Sequence, residues 1–153
     1  MTIRTESRIT VARDAGAVWD YLRDVARWTE WAPTVRECRI RGGGPFEPGA
    51  RVEQRAHDFG VDHRRTEQVT RVDAPRAMEF AGTMGSSRAR WGMELQPAGE
   101  ASTHATMWVE VDLANVMRVI PGRVLRDRVQ RTSDREMAAI RWALERGGEP
   151  GAP

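Results

Sequence analysis

The chain has 153 residues, enough for one domain whose core buries roughly two-thirds of the unfolded surface and too few for two ordinary domains. Its one cysteine, Cys38, excludes an internal disulfide framework and a cysteine-cluster zinc site, and His57, His63 and His104 show no HxxxH or HExxH spacing, so no metal is expected. Twenty-four basic and 22 acidic residues leave a net charge of +2; the signs are interleaved, which implies no nucleic-acid partner.

All the basic residues are arginine, a bias that hints at a GC-rich bacterial genome. The N-terminus lacks the apolar stretch of a signal peptide, and no run of about 18 apolar residues occurs. A cytoplasmic protein with no membrane partner is the expectation.

Residues 2–12 alternate, with Ile3, Thr5, Ser7, Ile9 and Val11 on one face and Arg4, Glu6 and Arg8 on the other, which predicts a half-buried strand. Asp14 then offers an N-cap, and Val18, Trp19, Leu22 and Val25 recur at helical spacing. A second short helix or turn carries Trp28 and Trp31 and stops at Pro33, which lacks the donor a helix needs.

Strands are predicted over 35–41, 50–57, 61–72, 76–83, 86–96 and 102–112, separated by Gly- and Pro-containing turns such as Gly42-Gly43-Gly44-Pro45 and Asp73-Ala74-Pro75. After Pro121-Gly122 a helical stretch runs to about Arg146. Leu125, Val129, Thr132, Met137, Ile140 and Leu144 form its apolar stripe, and arginines with Asp127, Asp134, Glu136 and Glu145 occupy the rest. Gly147-Gly148 ends the helix, and 147–153 is expected to be a disordered tail after a single domain over 1–146. A one-sided antiparallel sheet must cover its apolar face, and only the last helix is long enough. A bent sheet around one helix leaves a space near the helix's N-terminal half, where a small ligand would sit.

Several segments carry a family likeness: the run Ile9-Thr10-Val11-Ala12-Arg13-Asp14-Ala15-Gly16-Ala17-Val18-Trp19-Asp20-Tyr21-Leu22, then Asp24, Trp28, Trp31 and Pro33. The hairpin from Val69 through Val72-Asp73-Ala74-Pro75-Arg76-Ala77-Met78-Glu79-Phe80 and the closing Ile140-Arg141-Trp142-Ala143-Leu144-Glu145 belong with them. Over roughly 2–146 the chain resembles the START-like, helix-grip superfamily of polyketide cyclases, dehydratases, plant hormone binders and lipid-transfer domains. The resemblance implies an α+β helix-grip fold, a curved antiparallel sheet wrapped around a long C-terminal helix, with two short helices after the first strand. The fold hosts catalysts, carriers and sensors alike. Where the aromatase/cyclase branch carries a tryptophan and an arginine four residues apart, this chain has Arg65 and Val69.

Strand 61–72 is the most informative for chemistry. If Val61 and Val69 face the cavity, period two puts His63, Arg65 and Glu67 on the same face, about 6.6–7 Å apart. Arg65 could hold an enolate or phenolate oxygen while His63 or Glu67 moves a proton. The same row could instead be a surface ion-pair ladder.

Met78, Phe80, Trp91, Met93, Met107, Val109, Met117, Leu125 and Tyr21 are the candidate ligand contacts, with core packing the alternative for each. Trp28 and Trp31 are expected to plug the end of the sheet, and Tyr21 to be a capped surface residue or to point into the cavity mouth. Trp108 is expected to be exposed and leaves a homodimer open. His57 and Asp58 suit a rim or turn. The segment Asn115-Val116-Met117-Arg118-Val119-Ile120-Pro121-Gly122 reads as a gate or as the lead-in to the helix.

Two functions compete. One is a cofactor-independent cyclase/dehydratase-type enzyme acting on a hydrophobic polyketide-like molecule by acid–base chemistry. The other is a non-catalytic carrier, sequestering or sensor protein for such a molecule, with a protein-partner module behind both.

Overall fold

A computed structural model describes residues 1–58, 60–113 and 119–146; the 147–153 tail and residues 115–118 of the 115–122 segment, Met117 among them, lie outside the described residues. Strand β1 (Thr2–Val11) is followed by helix α1 (Ala15–Arg23), a 3-10 turn (Val25–Glu30) and β2 (Val35–Ile40). Strands β3 (Arg51–Asp58), β4 (Val61–Asp73), β5 (Ala77–Met84), β6 (Ser87–Pro97) and β7 (Thr103–Asp112) follow, and helix α2 (Gly122–Arg146) closes the order. All are as expected to within two residues.

The seven strands form one sheet in the order β1-β7-β6-β5-β4-β3-β2, antiparallel at every pairing. This curved sheet with its long C-terminal helix is the expected helix-grip arrangement. Consecutive strands β2 to β7 meander as hairpins, whereas β1 and β2 stand at opposite edges. Residues 12–34 must therefore cross from one edge to the other, and they do so over one end of the sheet. Asp14 starts the crossing by accepting from the Ala17 N–H at 3.2 Å, an N-cap that satisfies an orphan donor of α1. Trp28 then turns inward, buries its ring and donates Nε1–H to the Leu22 carbonyl at 2.8 Å. Trp31 is buried beside it, so both tryptophans plug the sheet as expected.

The inward face carries Val11, Val52, Val69, Met78, Phe80, Met93, Leu95, Ala105 and Met107, closed over by Met137, Ile140 and Leu144 of α2. A smaller cluster of Ile3, Val111, Leu113, Leu125 and Val129 sits under the start of α2. The register of β4 shifts between Val69 and Arg71. That bulge lets both Val69 and Val72 pack on the core although they differ in parity.

Helix α2 is fastened to β1 and the two residues that follow it. Ser7 Oγ donates to Asp134 Oδ1 at 2.6 Å, Gln130 Nε2 to the Glu6 carbonyl at 2.7 Å, and Arg13 to the Leu144 carbonyl at 2.9 Å. Glu145 Oε1 accepts from the Ala12 N–H at 3.1 Å. The bond to the Glu6 carbonyl occupies a main-chain group that an edge strand otherwise leaves open. Ser133, not Thr132, is the stripe position that turns inward; Thr132 is exposed and bonds back to the Arg128 carbonyl. A hydroxyl does not itself choose a face. The neighbours do, and Ser133 lies one turn past Val129.

Trp108 corrects another expectation. It lies on the outer face but is only 4 % exposed, so it forms no open dimer patch. It pairs with Gly92 across β6, and the ring fills the space that glycine leaves. The Arg4 and Arg90 guanidinium groups cover it at 5.0 and 5.7 Å. Those two arginines belong to an alternating chain, Arg8–Glu6–Arg4–Glu110–Arg90–Glu79–Arg71–Asp73, with N···O separations of 2.7 to 3.7 Å across five strands. Among the described residues, no helix is long and apolar enough to cross a membrane.

Two stability outcomes follow. Ile140 is fully buried, so Ile140→Ala should cost about 2–5 kcal/mol in denaturant unfolding. A Cβ at Gly92 would stand 2.7 Å from Trp108 Cζ2 and 2.8 Å from the Met78 carbonyl oxygen. Gly92→Ala should therefore destabilise by about 1–3 kcal/mol, read in the same way.

Candidate functional site

The row on β4 keeps its parity but not its uniformity. Val61 is 61 % exposed, so it does not face a cavity. His63 on the same row is also exposed, whereas Arg65 and Glu67 are half-buried and Val69 is fully buried. The row thus runs from solvent into the core, and its polar chemistry narrows to Arg65 and Glu67.

Strand β3 supports Arg65. Gln54, buried on the inward face and in register with Arg65, accepts from Arg65 Nε at 2.7 Å. Glu67 is supported from the other side. A Cβ at Gly82 on β5 would lie 3.1 Å from Glu67 Cγ, so the glycine clears a path for the carboxylate over β5. Beyond it, Trp91 Nε1 on β6 donates to Glu67 Oε2 at 3.1 Å.

Trp91 cannot swing away. Its ring stacks on Phe80 at 4.2 Å and 13°. Trp28 and Trp31 meet it edge-on at 5.4 and 6.4 Å. Burial raises the Glu67 pKa above the ordinary carboxylate value, against the opposing charge of Arg65 and the hydrogen bonds from Trp91 and Gln54.

A third charged group enters from α2. Glu136, expected on the solvated side of the helix, is half-buried on the inward side. Burial pushes its carboxyl up to about 7; the Glu67 charge adds to the rise and Arg65 opposes it. The signal was present in the spacing: Leu125, Val129, Glu136 and Ile140 follow one another by 4, 7 and 4, which places Glu136 in the middle of the apolar stripe. Gln54 had a similar signal, alternating with Val52 and Ala56 on β3.

The ligand-contact candidates divide by packing. Met78, Phe80, Met93 and Met107 are almost fully buried in the main core, and Leu125 packs in the smaller cluster. Trp91 and Val109, in register with each other, are only partly buried. Tyr21 is neither a surface residue nor at an open mouth: it is buried, with the Arg27 guanidinium 4.7 Å over its ring, and its pKa is pushed up to about 12, chiefly by burial. The plug segment turns it under Arg27. Met117 lies outside the described residues.

Elsewhere, His57 Nδ1 pairs with Asp62 Oδ1 at 2.6 Å near the β3–β4 turn, the peripheral place expected of it. Cys38 borders a groove of about 780 Å³ with Ile40 and Phe46. Burial raises its thiol to about 12, so it stays protonated and is a poor nucleophile. Among the described residues no group of three or more His, Cys, Asp or Glu could hold a metal ion.

Known proteins share this architecture. The Zhui aromatase/cyclase from Streptomyces sp. R1128 superposes with a TM-score of 0.79 at 18 % identity, covering 100 % of both chains. A START superfamily protein from Mycobacterium smegmatis gives 0.76 at 15 % identity over 93 % of this chain and 97 % of its own. Norcoclaurine synthase from Thalictrum flavum gives 0.70 at 14 % identity over 94 % of each. At such identities the likeness establishes the fold alone. No curated protein matches the chain in sequence. The family model described as "Polyketide cyclase / dehydrase and lipid transport" matches residues 2–145, and the chain belongs to that family.

Proposed function

We propose that the protein is a cofactor-independent enzyme of the cyclase/dehydratase type. Its substrate is a hydrophobic, polyketide-like carbonyl compound held between the inward face of the sheet and α2. The observation that carries this reading is Glu67: a carboxylate half-buried on an apolar face, held by Trp91 Nε1 at 3.1 Å, with Arg65 beside it on the same row. A carrier gains nothing from a desolvated carboxylate, which costs stability unless it is paired or used.

In this reading a ring of the substrate rests against Trp91. The Arg65 guanidinium holds the oxygen on which negative charge develops, and Glu67 removes the proton from the adjacent carbon. Gln54 and Trp91 are positioning residues, fixing Arg65 and Glu67 respectively. His63, exposed on the outer end of the row, is in reach of solvent and suits proton exchange at the entrance. The family's breadth, with aromatase/cyclases among similar folds, is compatible with this reading and does not choose the substrate.

The test uses a β-hydroxy ketone bearing a naphthyl ring, 4-hydroxy-4-(1-naphthyl)butan-2-one. The protein should exchange the probe's α-hydrogens for deuterium in D2O. Glu67→Gln and Arg65→Ala should each slow that exchange by about a hundredfold or more with thermal unfolding little changed. Gly82→Ala, which crowds Glu67 Cγ, should slow it by a smaller factor. Saturable quenching of Trp91 fluorescence by the probe, lost in Trp91→Phe, with no exchange in the wild-type protein would identify a carrier.

A further inference from the structure

We infer that Glu136 is the proton donor of this site and Glu67 its base, so that the pair eliminates water from a β-hydroxy ketone lying between α2 and β4. The inference rests on the acid–base reading above and adds to it a residue, a direction of proton flow and a substrate class.

The placement is unusual for a helix whose other acids face out or clamp β1. Glu136 stands two turns after Val129 and one turn before Ile140, both of which are buried. Its helix neighbours Met137 and Ile140 pack in one cluster with Val69 and Phe80, against which Trp91 also packs, and the charged groups that act on it are Arg65 and Glu67, both from β4. From β3 and β6 the site presents Gln54 and Trp91, which are neutral. One guanidinium therefore faces two carboxyls, and one cation cannot neutralise two anions in a desolvated space. One of the two keeps a proton at neutral pH.

Hydrogen bonding decides which. Trp91 and Gln54 direct N–H groups at Glu67 and favour its charged form, while Glu136 makes no side-chain hydrogen bond among the described residues. Glu67 ionises first and Glu136 holds the proton, in keeping with its pKa of about 7. Two carboxyls with separated proton affinities are what an acid–base pair requires.

The elimination balances. Glu67 takes a hydrogen from the carbon next to the ketone as a proton, and that carbon's electron pair forms the double bond to the β carbon. The β carbon–oxygen bond breaks, and the departing hydroxyl takes the Glu136 proton and leaves as water. Arg65 holds the ketone oxygen throughout. Glu67 is left protonated and Glu136 ionised, and one proton moved from the first to the second restores the starting state. The substrate this site suits is neutral, because a carboxylate-bearing one would meet Glu67.

The experiment separates the two claims. With the same naphthyl β-hydroxy ketone, α-hydrogen exchange reports the base and appearance of the enone reports the complete elimination. Glu67→Gln should lose both. Glu136→Gln should keep exchange within a few-fold and lose enone formation by at least about a hundredfold. Glu136→Gln forming enone at the wild-type rate would overturn the donor assignment while leaving Glu67 as base. Wild-type protein that shows neither reaction would overturn both.

A second measurement is independent of substrate. Carboxyl carbons followed by NMR should include one titrating near 7 that disappears in Glu136→Gln; Glu136 titrating at its ordinary value of 4.5 would overturn the assignment. Stability supplies the sign. A folded pKa raised from 4.5 to about 7 adds stability below 4.5 that is lost as pH rises through 7. Glu136→Gln should thus melt higher than wild type at pH 8, and this advantage should vanish by pH 4.

Discussion

Strands β1 and β2 follow one another in the chain but lie at opposite edges of the sheet, and much else depends on that separation. The intervening residues have to cross the end of the sheet, and the crossing needs bulky apolar side chains to close it. Trp28 serves that end, and its position sets the next contact. It abuts both Phe80 and Trp91, which leaves the Trp91 ring one stacked orientation. Trp91 Nε1 then points at Glu67. A topological requirement at the rim is thereby converted, through three aromatic rings, into the direction of one hydrogen bond in the interior.

The interior charges obey a different economy. Arg65 is anchored by Gln54, and Glu67 by Trp91 and Gln54. Without these neighbours two opposite charges at this depth would gain little from one another, because loss of hydration offsets most of the Coulomb attraction. The glycine at position 82 contributes by what it lacks, since any side chain there would meet the Glu67 methylene. Preorganised dipoles around a charge are the arrangement from which proton transfer gains most, because little has to reorient as charge moves.

Most of the fold was legible because its signals are local and periodic. Alternation in β6 and β7, turn residues between strands and the helical stripe of α2 each depend on near neighbours along the chain. Arg65 and Glu67 were legible for the same reason, sharing parity with Val69. Three other residues departed from their expected places, each for its own reason. Trp108 looked exposed because its strand parity is polar; the cavity over Gly92 and the covering arginines of β1 and β6 are tertiary facts. Val61 looked buried by parity, but parity cannot say how far along a strand the core extends, and Val61 is exposed while Val69 is buried. Glu136 was read as surface because it is charged, although its spacing placed it inside. There the residue type outweighed the period, and the period was the better guide.

The attachments of α2 have a consequence for how such a protein can change over time. Its polar fastenings run to β1 and the two residues after it, through Ser7, Glu6, Ala12 and Arg13, while Gln54, Arg65, Glu67 and Trp91 sit on β3, β4 and β6. What holds the scaffold and what would meet a substrate are therefore encoded in different strands. Substitutions at Arg65, Glu67, Trp91 or Val109 can alter size and polarity without touching the bonds that keep the helix in place. A scaffold divided in this way can drift among chemistries by single steps, each of which leaves a folded protein for selection to act on.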